Sequence, residues 1–285
     1  MIQSMTGYGK TVLQLSTKKI TIELKSLNSK NLDLNVRIPS YYREKELDIR
    51  KKLALNLVRG KIDFSIYIEN NGGELLSKIN EKAVREYISQ LKNIVNSDEI
   101  ELLKIAARLP DSLKAEREEL DEEEWNKIAE AINKTIKKII SYRNDEGKVL
   151  LKDFEMRVAI IEDLLNKVIE IDPKRIENVR LKLKKGIEEL EAKVDENRFE
   201  QELIYYIEKL DITEEKVRLK NHLNYFLKEL KEQTSNGKKL GFITQEIGRE
   251  INTIGSKANF ADMQKLVVQM KDELEKIKEQ NLNVL

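Results

Sequence analysis

The spacing of hydrophobic and polar positions changes along the chain, from strand-like before residue 75 to helix-like after it. Residues 11–15, 20–24 and 32–38 alternate apolar and polar side chains, as half-buried strands do. Residues 44–58 have helical spacing, and a fourth alternating run, 62–68, follows the turn Arg59-Gly60-Lys61. The pattern predicts a small unit with the order β-β-β-α-β.

Beyond residue 75 the spacing predicts helices almost exclusively. Amphipathic stretches cover 83–95, 102–110, 125–140, 149–169, 217–230 and 263–277. We expect a break near Gly147 and a new helix that begins at Pro173, because proline is tolerated in the first turn of a helix. Heptad-like apolar positions, typical of a long helix packed on another helix, then follow: Ile176, Val179, Leu183, Ile187, Leu190 and Val194.

These elements predict an α+β fold with two domains. Residues 1–75 form a small N-terminal domain, an antiparallel or mixed sheet with one helix. Residues 76–285 form a long, mostly α-helical domain with coiled-coil-like helices. The chain has no stretch of 18 apolar residues and opens without a basic segment followed by an apolar one. We therefore expect a cytoplasmic protein that does not span a membrane.

Composition narrows the chemistry that the chain can perform. Its 285 residues include 52 basic and 51 acidic side chains, so the formal net charge is +1 and a polyanion would need a local basic patch. The absence of cysteine excludes disulfides, thiolate catalysis, iron–sulfur clusters and cysteine-ligated zinc. The one histidine, His222, excludes a two-histidine nuclease mechanism and a histidine-rich zinc site within one chain.

Two stripes of polar residues have the spacing of one helix face. The first contains Asp211, Glu214, Glu215, Arg218 and His222, at i, i+3, i+4, i+7 and i+11. The second has the same intervals and contains Glu246, Arg249, Glu250, Thr253 and Lys257. Such stripes are also typical of solvent-exposed faces with ordinary ion pairs, so the spacing alone leaves both interpretations open.

Together the two stripes offer the side chains that a divalent metal site needs. Carboxylates four residues apart on one helix, with further carboxylates and one imidazole on another, favour Mg²⁺ or Mn²⁺ over Zn²⁺. The candidate metal ligands are Asp211, Glu214, Glu215, Glu246 and Glu250, and the candidate catalytic residues are Glu246, Glu250, His222 and Arg249. Arg218 and Lys257 lie on the same stripes and are candidate phosphate contacts.

Two further basic segments are candidate contacts for a phosphate backbone. Six cations cluster in residues 174–185, among them Lys174, Arg175 and Arg180. Arg59 and Lys61 lie on the turn before the last predicted strand. Because acidic residues follow the 174–185 cluster at once, a solvated helix with charges of both signs is also compatible with it.

Several blocks of this sequence resemble those of the YicC/YloC-type endoribonucleases, in the order in which that family has them. They are Ser4-Met5-Thr6-Gly7-Tyr8-Gly9, Glu23-Leu24-Lys25-Ser26-Leu27-Asn28, Arg59-Gly60-Lys61, Arg143-x-x-Glu146-Gly147, Asn197-Arg198 with Gln201-Glu202, and Asp211-Ile212-x-Glu214-Glu215-x-x-Arg218-Leu219-x-x-His222. The most specific block is Gln245-Glu246-x-x-Arg249-Glu250-x-Asn252-Thr253-x-Gly255-Ser256-Lys257. The last two blocks coincide with the polar stripes.

The resemblance implies a cytosolic bacterial ribonuclease that uses Mn²⁺ or Mg²⁺, acts in RNA turnover and assembles as a ring-like homohexamer. It implies that the N-terminal domain provides oligomer contacts and a track for RNA. Arg143, in the mid-chain block, joins the candidate RNA contacts. Together these contacts are Arg59, Lys61, Arg143, Lys174, Arg175, Arg180, Arg218 and Lys257.

The expected mechanism has two routes and two non-enzymatic alternatives. In one route a metal activates water or polarises the scissile phosphate, while His222 ligates the metal, orients a carboxylate or moves a proton. In the other route the RNA 2′-OH attacks its own phosphate and leaves a 2′,3′-cyclic end. The alternatives are an adaptor that presents RNA to another nuclease and a helical scaffold that only oligomerises.

Overall fold

The protein, examined as a computed structural model, consists of a small sheet and several helices, with one long helix running through both parts. The structure describes residues 2–70, 77–95, 97–115, 121–189, 196–232 and 236–285. The predicted domain boundary at residue 75 lies outside these ranges. The α+β class is confirmed.

The N-terminal sheet has four strands: β1 (Gly7–Gln14), β2 (Lys18–Leu27), β3 (Leu32–Arg37) and β4 (Gly60–Asn70), in the order β1-β2-β4-β3. β1 and β4 each pair antiparallel with β2, and β3 pairs parallel with β4. A parallel pair requires a crossover, which a 3-10 helix (Ser40–Lys45) and helix α1 (Glu46–Leu57) supply between β3 and β4. The mixed sheet with one helix is therefore as the alternation predicts.

The core of this sheet draws residues from both sides of position 75. Alternate residues of β2 and β4 point to one buried face, where they meet α1 and the first turns of helix α4 (Glu122–Glu189). The main contributors are Ile20, Ile22, Leu24, Leu53, Leu57, Ile62, Phe64, Ile66, Ile128, Ile132, Ile136 and Ile139. The sheet is thus covered by a helix that lies more than 50 residues further along the chain.

Helix α4 is continuous over 68 residues, so the predicted break near Gly147 and the predicted helix start at Pro173 are both wrong. Position 147, in the interior of the helix, is a glycine because the N-terminal segment packs closely against it. A Cβ atom at this position would lie 2.1 Å from the carbonyl oxygen of Ile2. Pro173 lies between buried Val168 and Asp172 on one side and buried Arg175 on the other. Tertiary packing on both sides therefore outweighs the unfavourable effect of an interior proline.

In chain order, a small lobe follows β4 and precedes α4. It has two helices, α2 (Glu81–Lys92) and α3 (Glu99–Ala106). It also contains a ribbon that the spacing does not predict, formed by β5 (Ser77–Ile79) and β6 (Leu113–Ala115). Strands of three residues are too short to establish an alternating pattern.

Four more helices follow α4: α5 (Glu196–Lys209), α6 (Thr213–Leu230), α7 (Gly237–Lys257) and α8 (Ala261–Asn281). Helices α6 and α8 pack directly against α4, and α7 packs against α6 and α8. The apolar stripes of α6, α7 and α8 form a second core with α4, where Phe154 and Phe226 meet edge to face. Of the heptad-like positions, the side chains at 187, 190 and 194 lie outside the described part of the chain. No helix in the described ranges is long and apolar enough to cross a membrane.

Candidate active site

Helices α6 and α7 carry the two polar stripes, and they lie side by side in opposite directions. Lys257, at the end of α7, contacts Glu215 near the start of α6. His222, in the middle of α6, lies close to Glu246 and Glu250 in the middle of α7. The structure thus brings the two stripes together along one seam, which is the arrangement that a shared site requires.

His222, Glu246 and Glu250 form a compact group at the middle of this seam. Each side chain offers one ligand atom, and these atoms lie within 4.8 Å of one another. Glu246 is exposed, His222 is half-buried and Glu250 is only 4% exposed. Within the described ranges it is the one group of three acidic or imidazole side chains with this proximity. Two carboxylates and one imidazole are a suitable donor set for Mn²⁺ or Mg²⁺.

Glu250 as a residue is only 4% exposed, and its carboxylate has no charge partner among the described residues. No described residue gives it a hydrogen bond or an ion pair, and the same is true of Glu246. A buried carboxylate is energetically unfavourable unless a cation or hydrogen-bond donors compensate it. A divalent cation between the three side chains would provide that compensation. Two carboxylates this close together, neither with an ion-pair partner among the described residues, are therefore the strongest indication that this group holds a ligand.

The acidic residues at the start of α6 have other partners. Glu215 accepts a hydrogen bond from Lys257 Nζ at 2.8 Å, and its second oxygen is buried without a partner among the described residues. Asp211 accepts hydrogen bonds from the backbone and hydroxyl of Thr213. The Thr213 hydroxyl lowers the pKa of Asp211. Two helical turns, about 10 Å, separate Glu215 from His222 along α6.

Glu214 and Arg218 form an ion pair on the exposed face of α6, 2.5 Å apart. Lys257 Nζ donates to the Asp211 carbonyl oxygen as well as to Glu215. The structure therefore does not bring the predicted metal ligands Asp211, Glu214 and Glu215 into the central group. It places Lys257 as a structural link between the two helices.

Arg143 occupies the interior, where RNA cannot reach it. It is 2% exposed, and its guanidinium donates hydrogen bonds to the carbonyl oxygens of Leu57, Met5 and Arg59 and to the Ser26 hydroxyl. Burial lowers the pKa of Arg143 to about 10. The interpretation of Arg143 as an RNA contact is wrong in this structure. The fold uses both terminal nitrogens of its guanidinium to hold the sheet, and its Nε is buried without a partner among the described residues.

Arg175 is also buried, at 2% exposure. It pairs with Asp172 at 2.8 Å and donates to the Lys257 carbonyl oxygen at the end of α7. Lys216 of α6 contacts the other oxygen of Asp172. This cluster joins α4, α6 and α7, so Arg175 too is positioned as a structural residue and not as an RNA contact.

The remaining predicted RNA contacts lie at the surface, away from the central group. Lys61 and Lys174 are exposed, and Arg180 pairs loosely with Glu200 at 3.7 Å. Arg59 is half-buried and donates to the Ser29 carbonyl oxygen. They come from two separate parts of the fold: Arg59 lies on the turn before β4, Lys61 lies on β4, and the other two lie on α4.

Arg249 lies on a different face of α7 from Glu250 and is exposed to solvent. It lines an open groove together with Gln245, Gly248, Asn252, Thr253, Ser256 and Lys278. Gln245, Asn252, Ser256 and Lys278 are not among the site residues predicted from the sequence. The spacing of positions 245, 249, 252 and 256, which is 4-3-4, contains the signal for this second stripe.

Comparisons with known proteins match nearly the whole chain. Residues 2–152 match the family described as "Endoribonuclease YicC-like, N-terminal region", and residues 168–285 match "Endoribonuclease YicC-like, C-terminal". A protein of Clostridioides difficile named "Probable endoribonuclease YicC" is 34% identical over the full length of both chains. A protein of Haemophilus influenzae with the same name is 30% identical, again over both full lengths.

Proposed function

Because this chain belongs to the YicC-like endoribonuclease family, we propose that it cleaves internal phosphodiester bonds of RNA with a divalent cation held by His222, Glu246 and Glu250. The observation that carries the metal dependence is the proximity of the Glu250 and Glu246 carboxylates to each other and to His222, with no charge partner for either carboxylate among the described residues. The family membership supports the nuclease activity itself.

The side chains around this group have distinct tasks in the proposal. Bound Mn²⁺ or Mg²⁺ would supply a Lewis acid that lowers the pKa of water and stabilises charge on the scissile phosphate. Glu250 is held in place by burial, so its position does not depend on the exposed surface. Arg249 lies one helical position before Glu250 and faces solvent, where its planar fork suits a phosphate.

Cleavage by the purified protein tests the proposal. A labelled structured RNA is incubated with wild type, Glu250→Gln and Glu214→Gln, each in EDTA, Mg²⁺ and Mn²⁺. We expect cleavage by wild type only with metal, and a loss of at least about 100-fold in Glu250→Gln, since it removes a ligand charge. Glu214→Gln is the matched control, because it removes an exposed carboxylate that is paired with Arg218.

The thermal stability of Glu250→Gln separates a catalytic effect from a folding effect. Removing a buried charge that has no partner within the chain should leave the free energy of unfolding of the metal-free protein unchanged or raise it. Undiminished turnover by Glu250→Gln would remove this residue from the mechanism. RNA binding without cleavage by wild type in every metal would favour the adaptor instead.

The chemical ends of the products distinguish the two routes of cleavage. A 2′,3′-cyclic phosphate would indicate attack by the RNA 2′-OH, whereas a linear phosphate end would indicate attack by water. A role in RNA turnover, a cytoplasmic location and a homohexameric assembly belong to the same proposal. Their support is the resemblance of the sequence blocks to that family.

A further inference from the structure

Helix α7 has a second polar face that the proposed metal group does not use. Successive residues of an α-helix are about 100° apart around its axis. Gln245, Arg249, Asn252 and Ser256 therefore lie within a sector of about 60°, and Glu246 and Glu250 lie about 100° away from its centre. The apolar residues Ile247, Ile251 and Ile254 occupy the opposite, buried side.

The second face is the wall of a groove between α7 and α8. The groove is lined by Gln245, Arg249, Asn252, Thr253 and Ser256 of α7 and by Lys278 near the end of α8. Lys278 pairs with Glu275 of its own helix at 3.1 Å. Arg249 has no side-chain partner among the described residues. The groove thus offers two cations, one of them uncommitted, to an anionic ligand.

The hydroxyl groups in the groove are oriented as acceptors. Thr253 donates its hydroxyl proton to the Arg249 carbonyl oxygen, and Ser256 donates its own to the Thr253 carbonyl oxygen. Each hydroxyl oxygen therefore retains only lone pairs for a ligand. Lone pairs repel phosphate oxygens but accept a hydrogen bond from a ribose 2′-OH, the group that distinguishes RNA from DNA.

The groove and the metal group lie close together on the surface of α7. At a helix radius of 5–6 Å, a separation of 100° corresponds to an arc of about 9 Å across the surface of α7. Arg249 and Thr253 lie between the two faces, and both are accessible from the solvent side. One RNA strand crossing α7 can therefore reach both sites.

We propose that this groove binds the ribose and phosphate of a nucleotide next to the scissile bond. Arg249 and Lys278 bind the phosphate, and Thr253 and Ser256 accept a hydrogen bond from the ribose 2′-OH. The amides of Gln245 and Asn252 can donate or accept at either group. The inference rests on the proposed function, because it names the part of the RNA substrate that lies beside the metal group.

The charge on Lys278 provides the first test. In the Glu250→Gln background, binding of a single-stranded RNA is measured over a range of salt concentrations for Lys278→Gln and Lys265→Gln. Both lysines lie on α8 and pair at 3.1 Å with an acidic residue three positions earlier, but only Lys278 lines the groove. We expect Lys278→Gln to weaken binding several-fold and to reduce the salt slope by about 0.7, with no change for Lys265→Gln.

The hydroxyl groups provide the second test. The ratio of the dissociation constants for DNA and RNA of the same sequence is measured for the parent and for the double variant Thr253→Val with Ser256→Ala. We expect the ratio to fall several-fold through weaker RNA binding, while DNA binding stays the same. An unchanged ratio would overturn the assignment of the ribose contact.

The outcomes separate the groove from the proposed function. Metal-dependent cleavage by wild type, with equal RNA binding by the two lysine variants, would refute the groove and leave the nuclease function intact. Weaker binding by Lys278→Gln alone, with no cleavage by wild type in any metal, would support the groove as an RNA site and refute the nuclease function.

Discussion

Arg143 and Glu250 are both buried ionisable residues, but their surroundings give them opposite roles. Arg143 donates to four oxygen acceptors within the chain, among them the carbonyls of Leu57 and Arg59. Glu250 has no such donors among the described residues. The fold therefore supplies acceptors for both terminal nitrogens of Arg143, whereas the carboxylate of Glu250 has no donor from the described chain and is available to a cation.

Replacing Arg143 should destabilise the fold and leave RNA contacts at the surface untouched. Arg143→Gln loses several charge-assisted hydrogen bonds and leaves buried carbonyl oxygens unpaired, so we expect the free energy of unfolding to fall by roughly 3 kcal/mol or more. Urea unfolding measures this change. Lys137→Gln, which removes an exposed cation from the same helix, should shift stability by less than about 0.5 kcal/mol. A stable Arg143→Gln protein with weakened RNA binding would restore its interpretation as an RNA contact.

At the scale of elements, the packing of α8 on α4 includes an ion pair that is sensitive to pH. Arg157 of α4 contacts Asp153 at 2.8 Å and Glu273 of α8 at 2.9 Å. Lys276 and then Arg157 lower the pKa of Glu273 below its usual value of 4.5. The folded state therefore favours the ionised carboxylate more strongly than the unfolded state does.

This difference predicts how stability changes in acid. Because the pKa of Glu273 is lower in the folded protein, its contribution is complete above the unfolded value of 4.5 and is lost as pH falls through the folded value. Glu273→Gln should therefore be less stable than wild type at neutral pH, and the two should converge below pH 4.5. Unfolding midpoints at a series of pH values measure the difference. Glu279→Gln, an exposed change on α8, should run parallel to wild type, and a parallel Glu273→Gln curve would contradict the assignment.

Local spacing predicts the elements that depend on neighbours in sequence. The alternating runs become β1 to β4, and both polar stripes lie on the helices that the spacing predicts, α6 and α7. The continuity of α4 through Gly147 and Pro173 is not predictable in this way. It depends on the N-terminal segment, which packs against Gly147, and on buried residues around Pro173.

The same limit applies to the candidate site. Helical spacing identifies Glu246, Glu250 and His222 as members of stripes, but it cannot show that His222 rather than Glu215 lies opposite Glu250. That pairing is set by the register of α6 against α7, which the packed core fixes. The prediction that Arg143 and Arg175 are exposed RNA contacts is wrong for a similar reason. Both have hydrogen-bond acceptors in segments far away in the sequence, which helical spacing cannot reveal.

At the scale of the whole molecule, segments from both ends of the chain meet on the long helix. The Ser4 amide donates to the Arg143 carbonyl oxygen, the Met5 amide donates to the Asn283 carbonyl oxygen, and the Thr6 hydroxyl contacts Glu146. The first and mid-chain sequence blocks thus hold the sheet, α4 and the end of α8 together. The C-terminal block on α7 carries the candidate chemistry. The homohexamer that the resemblance implies stays a prediction.

The location of a bound metal tests the central claim most directly. Crystals soaked in Mn²⁺ would be measured at the manganese absorption edge for wild type and for Glu250→Gln. We predict one anomalous peak among His222, Glu246 and Glu250 in wild type, at roughly 2.0–2.6 Å from its ligand atoms, and no peak there in the variant. A peak at Asp211, Glu214 and Glu215 instead, or no peak in a protein that cleaves RNA only with Mn²⁺, would contradict the account.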